Sequence, residues 1–164
     1  MVGGGLWLLA SGCAGYKLGP TGEVQAGARS LQVNPVVNTT TEPRLGAAVN
    51  HALRKEIQRD GTFRLNTQGE GDIIVNTEIT RYQRVGIAYD PRDTLTAADY
   101  ELTMTAKVLV TDRHNGRELL NREVRARTTA RIGLDLASAE YQVLPLLADD
   151  LAHRITGLLV DGEW

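Results

Sequence analysis

Seven arginines carry most of the chemistry that can be read from this sequence. Arg81, Arg84 and Arg92 fall at the end of a long alternating stretch and in the loop after it. Arg113 and Arg117 flank an Asn115-Gly116 turn, and Arg125 and Arg127 follow on the returning stretch. A guanidinium is permanently charged, and its planar fork matches a phosphate or carboxylate bidentately. If the stretches that carry these arginines are neighbours in a sheet, several cations converge on one sheet end or face. The ligand they would take is an anionic glycolipid or a partner. Arginine also decorates exposed strands and turns without any such role, so spacing alone leaves both readings open.

Catalytic groupings are missing from the pattern. His51, His114 and His153 fall on a helix, a turn and a second helix, without metal-ligand spacing. The single cysteine, Cys13, excludes an internal disulfide and a thiolate zinc site. No phosphate-cradling GxxxxGK[ST] or GxGxxG follows a strand, Gly3-Gly4-Gly5 lies in the leader, and no GxSxG elbow occurs. Asp149-Asp150 reads as a solvated helix face, and Asp90 and Asp93 flank Pro91-Arg92 in loop-type sequence. The expectation is a protein that works by binding, with no catalytic residue, metal or cofactor.

Cys13 has a sharper reading than a buried thiol. Residues 1 to 12 (MVGGGLWLLASG) carry no charge and contain the apolar run Leu6-Trp7-Leu8-Leu9-Ala10, too short to span a bilayer. Small residues, Ala10-Ser11-Gly12, precede the cysteine. An apolar run ending in small residues is the shape of a secretory signal, and with cysteine next it resembles the bacterial lipoprotein box. By that resemblance residues 1–12 are a signal peptide and Cys13 is lipidated. Two acyl chains or more give stable anchoring, where one is marginal. Two departures stand out. No Lys or Arg precedes the apolar run, and Ala10 occupies a position where the box favours Leu. Both fit a true start upstream of Met1. Ala14 in place of Asp after the cysteine favours the outer membrane, by resemblance to enterobacterial lipoproteins.

The remaining 13–164 must position these groups. The chain has 164 residues, 42% hydrophobic and 23% charged, with a net charge of -2 and a pI near 5.9. That fits one domain with a real core and gives no global basic bias for nucleic acid. Residues 13–28 read as a Gly- and Ala-rich tether. Residues 30–37 alternate, with Pro35 marking a short or edge strand. Thr41 or Glu42 can cap a helix that Pro43 opens. Leu45, Val49, Leu53 and Ile57 follow at helical spacing, and the helix ends at Asp60-Gly61. Thr62–Leu65 can form a short extended piece. A long strand is expected from Asp72 to Val85, with Asn76, Glu78 and Arg84 on its polar face, and a loop from Gly86 to Asp93. Tyr100–Asp112 alternates most clearly; Asn115-Gly116 then turns the chain into a strand from Glu118 to Ala130. Glu140, Leu144, Leu147, Leu151, Ile155 and Leu158 mark a last helix, in which Pro145 predicts a kink or restart.

The expected fold is α+β: a two-layer sandwich, a four-stranded mixed sheet with two helices packed on one face, in the order β-α-β-β-β-α, filling residues 29–164. The other sheet face is polar and is a candidate contact surface.

Several stretches together resemble a known family. They are Ser11-Gly12-Cys13 with Gly15-Tyr16-Lys17-Leu18, then Glu42-Pro43-Arg44-Leu45 and Asp60-Gly61-Thr62-Phe63-Arg64-Leu65. Leu95 to Leu102 and Ala139 to Leu146 complete the set. Their order and spacing resemble the LPS-assembly lipoproteins of the LptE type, over nearly the whole mature chain. The resemblance implies a non-enzymatic outer-membrane lipoprotein. It would plug the LPS-assembly β-barrel of the LptD type, support its folding and help deliver lipopolysaccharide to the outer leaflet. Of the site residues only Cys13 carries over. The alternative is another envelope lipoprotein, a secretin-pilot-like or Tol-like module with a different partner.

Overall fold

The computed structural model describes residues 27–90, 93–131 and 135–162. Cys13, Arg92, the leader and most of the tether lie outside them.

Eight elements follow in order: β1 (Ser30–Val33), β2 (Val37–Asn38), α1 (Arg44–Asp60), β3 (Arg64–Asn66), β4 (Ile73–Asp90), β5 (Asp93–Asp112), β6 (Glu118–Arg131) and α2 (Leu136–Asp161). Both helices pack on one side of a single mixed sheet. Its order is β3-β1-β4-β5-β6, with β2 continuing the β1 position along β4. β1, β2 and β3 pair in parallel, while β4, β5 and β6 form two long antiparallel ladders. The class and layering are as expected, but the sheet has six strands where four were predicted. Pro35 splits the first strand: it has no N–H to give a ladder, so the chain leaves β4 after Val33 and rejoins it at Val37. The extended piece after Gly61 becomes β3, an edge strand.

The helices form because their apolar residues share a face. Leu45, Val49, Ala52, Leu53 and Ile57 of α1 are all buried. Gly61 closes that helix in the left-handed region (φ 76°), donating to the Ile57 carbonyl at 3.2 Å. At its start neither Thr41 nor Glu42 serves as the cap. Pro43 holds that position without a side-chain bond, and the Glu42 carboxylate just before it accepts from both Arg44 N at 3.2 Å and the Arg44 guanidinium at 2.7 Å.

α2 is capped by Asp135, whose carboxylate accepts from Ser138 N at 2.8 Å, and it runs as one helix through Pro145. Its buried stripe includes Leu144, Leu147, Leu151, Ile155 and Leu159; Leu158 instead points outward, 37% exposed. Each fully buried leucine contributes about 1.5–3 kcal/mol.

The helices run parallel to each other. Arg44 lies over the Tyr141 ring at 5.8 Å near their starts, while Lys55 meets Asp149 at 3.7 Å and Glu56 meets His153 at 3.0 Å further on. The molecule therefore has two distinct ends. One gathers both helix starts and the tip of the β4–β5 hairpin. The other gathers Gly27, where the described chain begins, the loop before β4 and the β5–β6 turn. At this second end Gly71 passes so close to β1 that a Cβ there would lie 2.5 Å from the Gln32 nitrogen.

The expected loop at 86–93 is mostly strand: β4 continues to Asp90 and β5 resumes at Asp93. The alternation that would announce a strand is lost because the ladder slips. Register shifts fall between Ile79 and Arg81 and again at Gly86/Ala88, Ala88/Tyr89 and Tyr89/Asp90. A bulge adds a residue to one strand and inverts the facing of everything beyond it. Arg84 is thereby corrected: it shares a register position with buried Leu102 and lies on the helix side, not with Asn76 and Glu78.

Candidate functional site

The sheet face away from the helices is built from β4, β5 and β6, whose registers set its rows. Arg81, Thr105 and Arg125 stand side by side across the three strands. The next row toward the hairpin tip is Gln83, Thr103 and Arg127; the row on the other side is Glu78, Lys107 and Glu123. Neighbouring strands lie about 4.8 Å apart, so Arg81 and Arg125 flank Thr105 within side-chain reach of one ligand.

Thr105 lies on the uncovered face, yet it is only 3% exposed, and its Oγ1 has no hydrogen-bond partner among the described residues. Met104 and Ala106 on either side of it point into the core. The Thr105 hydroxyl is itself covered, so the groups this row presents to an oxyanion are the two guanidinium forks.

Beside this patch is a half-open groove of about 350 Å³. Pro35 and Val37 wall one side of it, where the chain bridges β1 and β2. Lys107, Leu109 and Asn121 line the other, with Asn76 and Glu78 also at its surface. Val37 is 56% exposed. The apolar-walled groove thus opens on the row of Glu78, Lys107 and Glu123, one row short of Arg81 and Arg125.

The seven arginines do not converge as one cluster. The structure brings Arg81, Arg125 and Arg127 together on the open face. Arg84 is on the other side, paired with Glu140 of α2 at 3.2 Å and stacked over the Tyr82 ring at 5.9 Å. Tyr82 also donates to Glu140 at 3.1 Å; burial, then the Glu140 charge, pushes its phenol well above the usual tyrosine range.

Arg113 is a staple at the far end. Its guanidinium donates to Gly71 O at 2.9 Å, to Gln32 Oε1 at 2.7 Å and to Gly69 O, fixing the β5–β6 turn to the loop before β4. Arg117 lies in that same turn, held through its backbone N–H to Asn115 Oδ1 at 2.8 Å. From Thr111, opposite Glu118, to Thr105 is six residues of β5, about 20 Å of strand. That distance separates the turn arginines from the open-face trio. The bulge and the turn contacts explain the dispersal, and neither is visible in spacing.

Two residues of the patch were not singled out from sequence, Thr105 and Lys107. Their signal is only that they share the polar face of the Tyr100–Asp112 alternation. Near the turn, Asp72 accepts from Ser30 Oγ at 2.7 Å and Ser30 N at 2.9 Å. These bonds, more than the His114 ring at 3.3 Å, hold its carboxyl down at about 2. Among the described residues no group of His, Cys, Asp and Glu could hold a metal ion, and no helix is long and apolar enough to cross a membrane.

The comparisons agree with this architecture. The sequence matches the family described as LptE: Lipopolysaccharide-assembly over residues 28–156. No curated protein sequence matches the chain. In fold it is similar to a Xanthomonas campestris protein (TM-score 0.62, 8% identity, 86% of this chain and 89% of that one). It is also similar to a Caulobacter crescentus lipoprotein (0.54, 16%, 77% and 88%). A third similar structure is a PelC dodecamer from Paraburkholderia phytofirmans (0.57, 14%, 87% and 94%).

Proposed function

The chain belongs to the lipopolysaccharide-assembly family LptE, and from that premise we propose that it is a lipid-anchored plug of the LPS-assembly β-barrel that also contacts lipopolysaccharide. Cys13 carries the anchor after removal of residues 1–12, and the outer membrane is its site. The protein acts by binding and performs no catalysis.

The observation that carries this reading is the open face. On a sheet surface that no helix covers, Lys107 lines an apolar-walled groove between Glu78 and Glu123, and Arg81, Arg125 and Arg127 follow in the next two rows. Lipopolysaccharide presents phosphates next to acyl chains, and that pairing matches cations next to an apolar wall. A barrel lumen is polar, so a domain whose uncovered sheet face is charged and threonine-rich suits its interior.

The test is recovery of tagged full-length protein from detergent-solubilised outer membranes, with partners identified by mass spectrometry. The expected result is a large β-barrel in equal amount. Recovery of a secretin or a periplasmic complex instead overturns the plug reading.

A further inference from the structure

β6 ends the sheet as a 14-residue strand that pairs with β5 alone among the described residues. A free edge of that length is a template for another strand. Its side chains specify which. On the open face β6 reads Asn121, Glu123, Arg125, Arg127. Suppose a second copy adds antiparallel about a two-fold axis through Val124. Each Glu123 then stands opposite the partner copy's Arg125, and each Asn121 opposite its Arg127. Both pairs occur twice, as symmetry requires. One pairing step either way puts Arg125 opposite Arg125 or Glu123 opposite Glu123, and like charges directly opposite destabilise a ladder. The strand is therefore self-complementary in one register and self-repelling in its neighbours.

The helix layer fits the same axis. Asp150 accepts from Arg127 N at 3.3 Å, so α2 and β6 are level there. Val124 lies three residues back, about 10 Å along the strand. The same distance along α2 is about seven residues, which brings Gly157 level with Val124. Asp150, Arg154, Gly157 and Asp161 share one flank of the helix, and a Cβ on Gly157 would meet nothing within 4 Å. The flank carries no side chain where two helices would cross, and it places Arg154 near the partner copy's Asp161.

We infer that the chain self-associates through β6, forming a continuous sheet across a two-fold axis at Val124 with α2 packed against its symmetry mate at Gly157. This inference does not depend on the barrel reading. Arg127 N exchanges its Asp150 contact for a ladder bond to the second copy.

Sedimentation of the full chain in density-matched detergent with reductant, over a concentration series, tests it. A reversible dimer is expected. Arg125→Glu should weaken association about ten-fold, since both symmetry-related pairs become repulsive. The charge swap Glu123→Arg/Arg125→Glu should restore it. Gly157→Leu, which favours the helix intrinsically, should also separate the copies while circular dichroism shows an intact fold. A wild-type monomer across the whole series overturns the inference, as does a folded charge-swap variant that stays monomeric when Arg125→Glu does.

Discussion

The Tyr82 hydroxyl donates to Glu140 Oε1 at 3.1 Å, joining the β4 strand just beyond its bulge to the first turns of α2. Glu140 is 4% exposed, and Arg84 completes its coordination. Replacing Glu140 by Ala removes the acceptor for both groups and leaves the half-buried phenol without its partner. The expected loss is about 1–3 kcal/mol, read from urea unfolding. Glu140→Gln, which keeps one acceptor, should lose less. Equal stability of Glu140→Ala and wild type would refute the latch.

Arg113→Ala should loosen one end of the molecule without touching the open face. Its guanidinium holds Gly69, Gly71 and Gln32. Amide exchange at Gly69–Asp72 should quicken, while lipopolysaccharide affinity stays unchanged. A fall in that affinity would move the site to the turn end.

Asp72 makes acid stability testable. Its carboxyl sits at about 2 in the folded protein, below its ordinary 3.8. A depressed carboxylate stabilises fully above the unfolded value, and that stabilisation fades as pH falls through the folded one. Wild type should therefore lose stability between pH 4 and 2, measured by thermal melts. Asp72→Asn should be less stable above pH 4 and flatter below it. Parallel curves for the two would show that Ser30 does not favour the ionised form.

Leu151 is fully buried between α2 and the rest of the core. Leu151→Ala should cost about 2–5 kcal/mol through lost burial and a cavity, measured by urea denaturation with unchanged slope. A loss under 1 kcal/mol would mean that the helix layer packs loosely there.

Much of this fold is written locally. Leu45, Val49, Leu53 and Ile57 declare α1, and Asn115-Gly116 with its flanking alternation declares the β5–β6 hairpin. The failures share one cause, ladder irregularity. Pro35 breaks a strand that still reads as alternating. The bulge at Ile79/Arg81 sends Arg84 to the helix side, and the slips after Gly86 disguise strand as loop. Such features depend on the partner strand, so one strand's sequence does not carry them. The site shows the same division. Arg125 and Arg127 can be read as exposed strand cations, but their meeting with Arg81 across Thr105 depends on register. Arg113 looks like any turn arginine until Gly69 and Gly71 arrive from 44 and 42 residues away in sequence.

The central claim is that lipopolysaccharide is held on the open face. Capture of labelled lipopolysaccharide by wild type and by Arg81→Glu/Arg127→Glu, at fixed low salt, tests it most directly. Arg127 also stands opposite the partner copy's Asn121 in the proposed dimer, so both proteins are compared at a concentration where sedimentation shows each to be monomeric. The expected result is affinity lower by about ten-fold or more in the variant, since two charge-assisted contacts become repulsive, with Arg113→Ala as an unaffected control. Undiminished binding by a folded Arg81→Glu/Arg127→Glu variant would contradict the account.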